Sequence, residues 1–362
     1  MLHYVIFYAT RTKNIKLHGV QHCMEGFKTM DMTAIDRIAE IVKGREVFIQ
    51  GHNFPDADSI ASAYGVQRLL EHKGVASHII YVGLIEKFSI SRMLEVLDIA
   101  IVLDEQEDRL TEDDAIIIVD AQKFNSNIKD CLGEELVCID HHPMTNAPDY
   151  LFADIRPDIG ACSSIIASYF FEAGITPDIK TATTLVYGIK MDTLDLKRGA
   201  SPLDVEMYSR LYPLADLEVL AQLYTNTMKY EDLMAFGEAI KNIQIYDNIG
   251  IARLDIRCSD GLIAEISDFI LGLLEVELCV VYAIRSNGIK LSVRSEVKGV
   301  KAGAAIQNAI GDIGTGGGHD EMAGGFIPIA NIAAQLDDDI RMRFIKAFSV
   351  AAQMGRHAQM ER

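Results

Sequence analysis

The chain has 362 residues, 49% of them hydrophobic, and a formal net charge of −18 at pH 7. That length and apolar content suffice for two separately packed cores, which excludes a disordered or fibrous chain. The charge argues against holding long duplexes, which requires a continuous basic surface to release counterions, whereas a small anionic substrate stays open because bound divalent cations invert the field of an acidic pocket.

Residues 1–30 begin MLHYVIFYATRTKN, with an apolar run ahead of the basic residues and no small-residue cleavage site, the reverse of a secretory signal. They match no element pattern, Met24, Met30 and Met32 offer alternative starts, and the segment receives no role. Residues 31–215 alternate β-branched runs with helical stretches, which predicts an α/β domain with a parallel sheet flanked by helices. Its strands are expected at Glu46–Gln50, His78–Val82, Ile99–Leu103, Ala115–Val119 and Leu136–Ile139. Residues 216–242 read as a helical connector, and residues 243–362 as a smaller α+β domain. There the strands are Ile249–Leu254, Leu278–Ile284 and Ile289–Arg294, with Ser286-Asn287-Gly288 as hairpin turn chemistry.

The longest apolar stretch, Phe269 to Ile284, is interrupted by Glu275 and Glu277, so it falls short of the roughly 20 apolar residues of a spanning helix. No membrane association is expected. The 6 cysteines (Cys23, Cys131, Cys138, Cys162, Cys258 and Cys279) contain no Cys-x-x-Cys pair, which predicts buried reduced thiols in a cytoplasmic protein rather than disulfides or a structural zinc site.

Ligands of open α/β sheets gather beyond the carboxyl ends of the strands, and the polar clusters of this chain fall there. In GHNFPDADSIASAYG, His52, Asp56 and Asp58 occupy a turn stiffened by Pro55. Ile60, Ala63, Val66 and Leu70 form the buried stripe of the following helix, which Gly74 terminates. Asp58 or Ser59 could simply cap that helix, a role that leaves His52 and Asp56 unexplained. AIIIVDA ends in Asp120, a carboxylate after five apolar residues that must be either bonded to helix N-terminal amides or bound to a metal. LVCIDHHPM carries Asp140, His141 and His142 out of a strand, and two adjacent histidines beside acidic clusters point to metal ligation. YGIKMDTLDL adds Asp192 after a helix starting near Pro177, although Asp195 is close and spacing does not choose between them. Oxygen and imidazole donors without thiolate suit Mn²⁺, Mg²⁺ or Co²⁺. GTGGGHDEMAGGF is either a flexible loop or an anion cradle, and it is not a Walker loop because no Gly-Lys-Ser/Thr follows.

These motifs, in this order from about Thr33 onward, resemble the DHH phosphoesterase superfamily, whose name-giving triplet stands here as Asp140-His141-His142. LSVRSE (Leu291 to Glu296) and the glycine-rich segment resemble its DHH-associated C-terminal domain. The resemblance implies one metal on His52, Asp56 and Asp120 and a second on Asp58, Asp120, His141 and Asp192, with Asp120 bridging. It implies that His142 faces the substrate phosphate and that Asp140 orients a neighbouring histidine. Arg294, the amides of Gly316, Gly317 and Gly318, and His319 would close over the metals to bind nucleotide.

The implied activity is two-metal hydrolysis of short oligoribonucleotides or of linear or cyclic dinucleotides to mononucleotides. An inorganic pyrophosphatase or exopolyphosphatase is the alternative with the same metal cluster, and a nucleotide-binding sensor without catalysis is a third reading. Ala57-Asp58-Ser59 and Asp320-Glu321-Met322 depart from the family pattern and bear on which base or phosphate number fits. Monomer and homodimer both stay open.

Overall fold

A computed structural model describes residues 32–349 except 86, 107–109, 126, 145–148, 226–227, 298, 319–320 and 333–338, so the N-terminal extension and Cys23 lie outside the described residues. The first sheet contains β1 (Val47–Gln50), β2 (His78–Tyr81), β3 (Val102–Leu103), β4 (Ala115–Val119), β5 (Glu134–Asp140) and β6 (Phe152–Ile155). All its pairings are parallel and its order is β3-β2-β1-β4-β5-β6. The order reverses between β1 and β4, and that switch point opens a crevice beyond their carboxyl ends.

β4 reads Ala-Ile-Ile-Ile-Val and is buried at every position, because alternate residues enter apolar layers on opposite faces of the sheet. Each of its isoleucines contributes roughly 1.5–3 kcal/mol relative to an exposed side chain. The helices α1 (Ala34–Ile41), α2 (Ala57–His72), α3 (Phe88–Val96), α4 (Cys162–Glu172), α5 (Ile179–Asp192), α6 (Pro202–Leu211) and α7 (Leu217–Tyr224) share the layer of Ile49, Ile117 and Ile139. Flanking by helices thus holds for one face. Among the described residues, the layer of Phe48, Ile80, Ile116 and Ile118 is covered by the connecting segments of Leu110, Ile128 and Cys131.

α2 is buried nearly all round rather than along one stripe, because α4 and α5 cover the side away from the sheet. It ends as its sequence implies, with Gly74 at φ 75° just past the last turn. β6 departs from the expected strand set: it is an edge strand of four residues, and its exposed Ala153 stands between Phe152 and Asp154, which erases the apolar pattern. The expected strand at Ile99–Leu103 shrinks to Val102–Leu103 at the other edge.

The connector is interrupted. α7 puts Leu220 and Leu223 into the first core, whereas α8 (Tyr230–Asn242) puts Ala235 and Ala239 into another apolar layer. The second sheet contains β7 (Gln244–Tyr246), β8 (Ile249–Leu254), β9 (Leu278–Arg285), β10 (Gly288–Ser295), β11 (Thr315–Gly318) and β12 (Met322–Pro328), in the order β11-β12-β10-β9-β8-β7. Only β8 and β9 run parallel, joined through α9 (Asp260–Leu271), while Ser286 and Asn287 turn β9 into β10. α8 and α9 cover one face of this sheet, and α10 (Ala302–Ile310) and a helical run over 339–349 cover the other. Among the described residues no helix is long and apolar enough to cross a membrane.

Helix α5 meets α2 and α4 through Gly188, where a β-carbon would stand 2.4 Å from Ser163 Oγ and 2.7 Å from Ala61 Cβ. Gly188→Val therefore overpacks the helix layer and should cost about 1–3 kcal/mol. The check is a urea titration, in which the midpoint falls while the slope is unchanged; an unmoved midpoint refutes the close packing.

Candidate metal centre

β1 delivers the chain to the crevice, and the turn at Gly51–Pro55 leads into α2. Asp56, with extended backbone at φ −99° and ψ −169°, caps that helix: its Oδ1 accepts from the N–H groups of Asp58 and Ser59, both at 3.0 Å. The cap expected at Asp58 or Ser59 is thus Asp56, and this use of one oxygen leaves Oδ2 turned toward His52 Nε2 at 3.6 Å. Asp58, in the first turn, reaches across to the start of α4, where Oδ2 accepts from Cys162 N–H at 2.7 Å and Oδ1 from Ser163 N–H at 2.9 Å. Helix-terminal amides therefore hold Asp58 and not Asp120, the residue for which sequence left that reading open.

Asp120 leaves β4 with a left-handed φ of 56°, its N–H bonded to Ile139 O at 2.9 Å. Its side chain is 3% exposed and Oδ1 has no aligned hydrogen bond, although His141 Nε2 stands 3.2 Å away. Two nearby carbonyls explain why. His52 Nδ1 lies 2.9 Å from Asn53 O and His141 Nδ1 lies 3.1 Å from Ile159 O, so each ring donates through Nδ1 and turns inward Nε2, which carries a lone pair in the neutral ring. His52 Nε2 is then 3.5 Å from Asp120 Oδ2, and His141 Nε2 is 3.4 Å from Oδ2 of Asp192, the last residue of α5. A lone pair facing a buried carboxylate is the arrangement that a cation completes. The donor atoms of His52, Asp56 and Asp120 lie within 4.8 Å of one another, and so do those of Asp58, His141 and Asp192.

Asp140 differs from these carboxylates in being fully used. Oδ1 accepts from His141 N–H and from His142 Nδ1, both at 2.8 Å, and Oδ2 accepts from Gln122 Nε2 at 2.7 Å. Gln122 also donates to His142 O at 3.0 Å, a clamp that sequence reasoning missed although Gln122 follows Asp120 by two positions.

The charges describe the same deficit. Burial alone would lower His52, but Asp56 and Asp120 outweigh it and raise it to about 10. Burial also opposes the charge on His141, which Asp120, Asp192 and Asp58 pull well above the usual imidazole range. Burial raises Asp192 to about 6, assisted by Asp56 and Asp120 against the lowering effect of His141, and burial with Asp120 and Asp192 drives Asp58 well up. Such carboxylate crowding fits divalent cations, and carboxylates plus imidazoles without thiolate form a hard donor set.

A cavity of about 700 Å³ runs from His142 and Asn125 to Lys290, Gln307 and the glycines of β11 and β12. A second, of about 420 Å³, lies beside His141 and Asp192 and includes Arg198, Lys301 and Glu321. Gly316, Gly317 and Gly318 sit at the first cavity as a strand rather than a loop, since β11 pairs with β12 and its glycines let α10 approach, Ile306 lying 3.0 Å from a β-carbon built on Gly316. Arg294 does not face either cavity. It is 5% exposed, with Nε 2.5 Å from Asp268 Oδ1 and Nη1 bonded to Ser292 Oγ and Val293 O. His319 lies outside the described residues.

Residues 46–189 match the DHH family, N-terminal domain, and residues 247–344 match the DHHA1 domain. Uncharacterized protein MJ1633 of Methanocaldococcus jannaschii is 28% identical over 92% of this chain and 66% of its own length. A probable manganese-dependent inorganic pyrophosphatase of Streptococcus thermophilus is 25% identical over 67% of this chain and 79% of its own. The cyclic-di-AMP phosphodiesterase PdeA of Listeria monocytogenes is 24% identical over 82% of this chain, which spans 46% of that protein. Among solved structures, an exopolyphosphatase-related protein from Bacteroides fragilis shares the fold with a TM-score of 0.73 at 18% identity, covering 89% of this chain and 97% of that one. With both domains present in order and the acidic-imidazole cluster at the switch point of the first, the chain belongs to the DHH family of metal-dependent phosphoesterases.

Proposed function

We propose that this protein is a phosphodiesterase that cleaves short oligoribonucleotides, or linear or cyclic dinucleotides, to mononucleotides. Residues 31–215 would carry the metal centre and residues 243–362 the substrate-binding half. The observation that carries this reading is the buried Asp120 Oδ1, without a hydrogen bond, between two sets of inward-facing donors beside a cavity of about 700 Å³. One cation would be held by His52, Asp56 and Asp120, and the other by Asp58, Asp120, His141 and Asp192. The donor set favours Mn²⁺, with Mg²⁺ and Co²⁺ as further candidates.

Two bound divalent cations supply Lewis-acid stabilisation of phosphate charge and acidify water. The protein's own groups do the positioning. Asp140 and Gln122 fix the His142 ring through Nδ1 and O, so that its Nε2 edge serves the substrate oxygen. The glycine strand lets a nucleotide approach the backbone closely. The free thiols at Cys131, Cys138, Cys162, Cys258 and Cys279 support a reducing, cytoplasmic setting.

The pyrophosphatase reading is favoured by the Streptococcus thermophilus relative. Against it stands the cavity beside His142, which among the described residues offers Asn125, Asn127 and Gln307 but a single lysine, Lys290, whose Nζ is held by Asp260 at 2.7 Å. Amides suit a base edge, whereas a second phosphate calls for cations.

With Mn²⁺ present, kcat/KM for dinucleotides should exceed that for pyrophosphate, and the reverse ranking in a steady-state panel refutes the substrate class. Asp120→Ala should abolish turnover, while Asp140→Ala, which loosens His142 along with the His141 amide and Gln122 but removes no proposed metal ligand, should lose about 10- to 100-fold. Equal activity of the two variants rules out the bridging role. In the metal-free protein His52, raised to about 10, is protonated at neutral pH, so a cation must displace that proton. Mn²⁺ affinity should therefore rise with pH, and the calorimetric binding enthalpy should vary with the ionisation enthalpy of the buffer; a buffer-independent enthalpy contradicts this.

A further inference from the structure

We infer that Arg198, rather than Arg294, is the arginine that binds the reacting phosphate, and that Asp268 on α9 positions it. The inference rests on the reading of the site as a phosphoesterase, and not on which phosphoester it cleaves.

The chain leaves Asp192 through an unusual turn. Leu194, Asp195 and Leu196 have φ values of 50°, 59° and 63°, three consecutive left-handed residues without a glycine. Such backbone costs roughly 1–2 kcal/mol per residue and persists where its surroundings over-determine it, often at functional sites. Thr193 does so here. Its Oγ1 donates to Ile189 O at 2.6 Å and accepts from Leu196 N–H at 3.1 Å, and its carbonyl accepts from the N–H groups of Lys197 and Arg198, both at 2.9 Å. The turn brings Arg198 to the cavity that His141 and Asp192 also line.

There the guanidinium is only partly used. Nη1 lies 3.1 Å from Asp268 Oδ1, and Nε is buried with no hydrogen-bond partner. Buried donors without partners are costly, so a phosphate oxygen entering this cavity would be drawn to the guanidinium edge that Asp268 leaves unused, the side chain turning to present it. Asp268 cannot neutralise Arg198 alone, because Oδ1 also accepts from Arg294 Nε at 2.5 Å. One carboxylate between two guanidiniums leaves the triad a net charge of +1 by formal count. Arg294 backs Asp268 from within the second sheet's half, Asp268 aims Arg198, and Arg198 meets the phosphate. The same carboxylate thereby links the turn after a candidate metal ligand to α9.

The test uses the full chain loaded with Mn²⁺ and bis-p-nitrophenyl phosphate, which has the reacting phosphate but no nucleoside. Arg198→Ala should lower kcat/KM by roughly 10- to 150-fold, the span expected for one hydrogen bond to a charged group. Arg198→Lys should retain part of the activity, and millimolar guanidinium should restore part of it to Arg198→Ala, while Mn²⁺ bound per chain and the thermal midpoint stay unchanged. Asp268→Asn should lose less than Arg198→Ala and add little when the two are combined, the non-additivity of a residue that acts through another. Activity of Arg198→Ala within twofold of the unmodified chain overturns the inference, as does a loss that parallels a fall in bound Mn²⁺. Should the unmodified chain prefer pyrophosphate to dinucleotides, the substrate class falls while the Arg198 result is read as before.

Discussion

Four carboxylates, from Asp56, Asp58, Asp120 and Asp192, converge on one crevice with two inward-turned imidazoles, His52 and His141, among them, and the rest of the architecture is arranged around that deficit of positive charge. Burying an uncompensated carboxylate is expensive, so each must be matched by a donor, a proton or a cation. Asp58 takes two amides of α4, Asp56 takes two amides of α2, and Asp192 and Asp58 tend to take protons. Asp120 takes none of these on Oδ1. The parallel sheet makes the arrangement possible because its strand order reverses between β1 and β4, which opens a crevice where Asp120 at the end of β4 meets the residues at the start of α2 and α4.

The helix termini therefore have a double use. A carboxylate that caps with one oxygen is held in place at no cost to its other oxygen, and Asp56 is the example. Asp58 spends both oxygens on α4 amides in a bidentate grip that fixes its plane, and a carboxylate oxygen retains a further lone pair after one such bond. The histidines follow a parallel rule, with backbone carbonyls at Asn53 and Ile159 holding Nδ1 so that Nε2 points inward. His142 obeys it with a side chain, Asp140, in place of a carbonyl, and this sets it apart from His141 despite adjacency in sequence.

Much of this is legible in the sequence, and the exceptions share a cause. β4 and β5 stand out because a continuous apolar run that ends in a charged residue fits a buried parallel strand and little else, and the polar clusters at their ends follow from the sheet's chemistry. β6 is hidden because an edge strand with Ala153 exposed carries no periodic signal. The glycine-rich segment resembles a loop because its strand character depends on pairing with β12 and on α10 packing over it, neither of which the glycines themselves signal. The cap at Asp56 is ambiguous in sequence because Asp56, Asp58 and Ser59 are all capable of the role, and backbone geometry alone separates them.

Arg294 shows the same limit in its sharpest form. Strand alternation places Lys290, Ser292 and Arg294 on one face of β10, but nothing local reveals that α9 lies over that face. In the fold, Lys290 meets Asp260 and Arg294 meets Asp268, so both cations are consumed by acidic residues of one helix. A strand cation under a helix works as an anchor, and an anchor is valuable here because the carboxylate it fixes is shared with Arg198 in the other half of the molecule. Charge balance propagates in this way from an apolar-looking strand to the rim of the metal crevice. Among the described residues, the half that supplies no candidate metal ligand thereby sets the direction of a cation beside the half that supplies all of them.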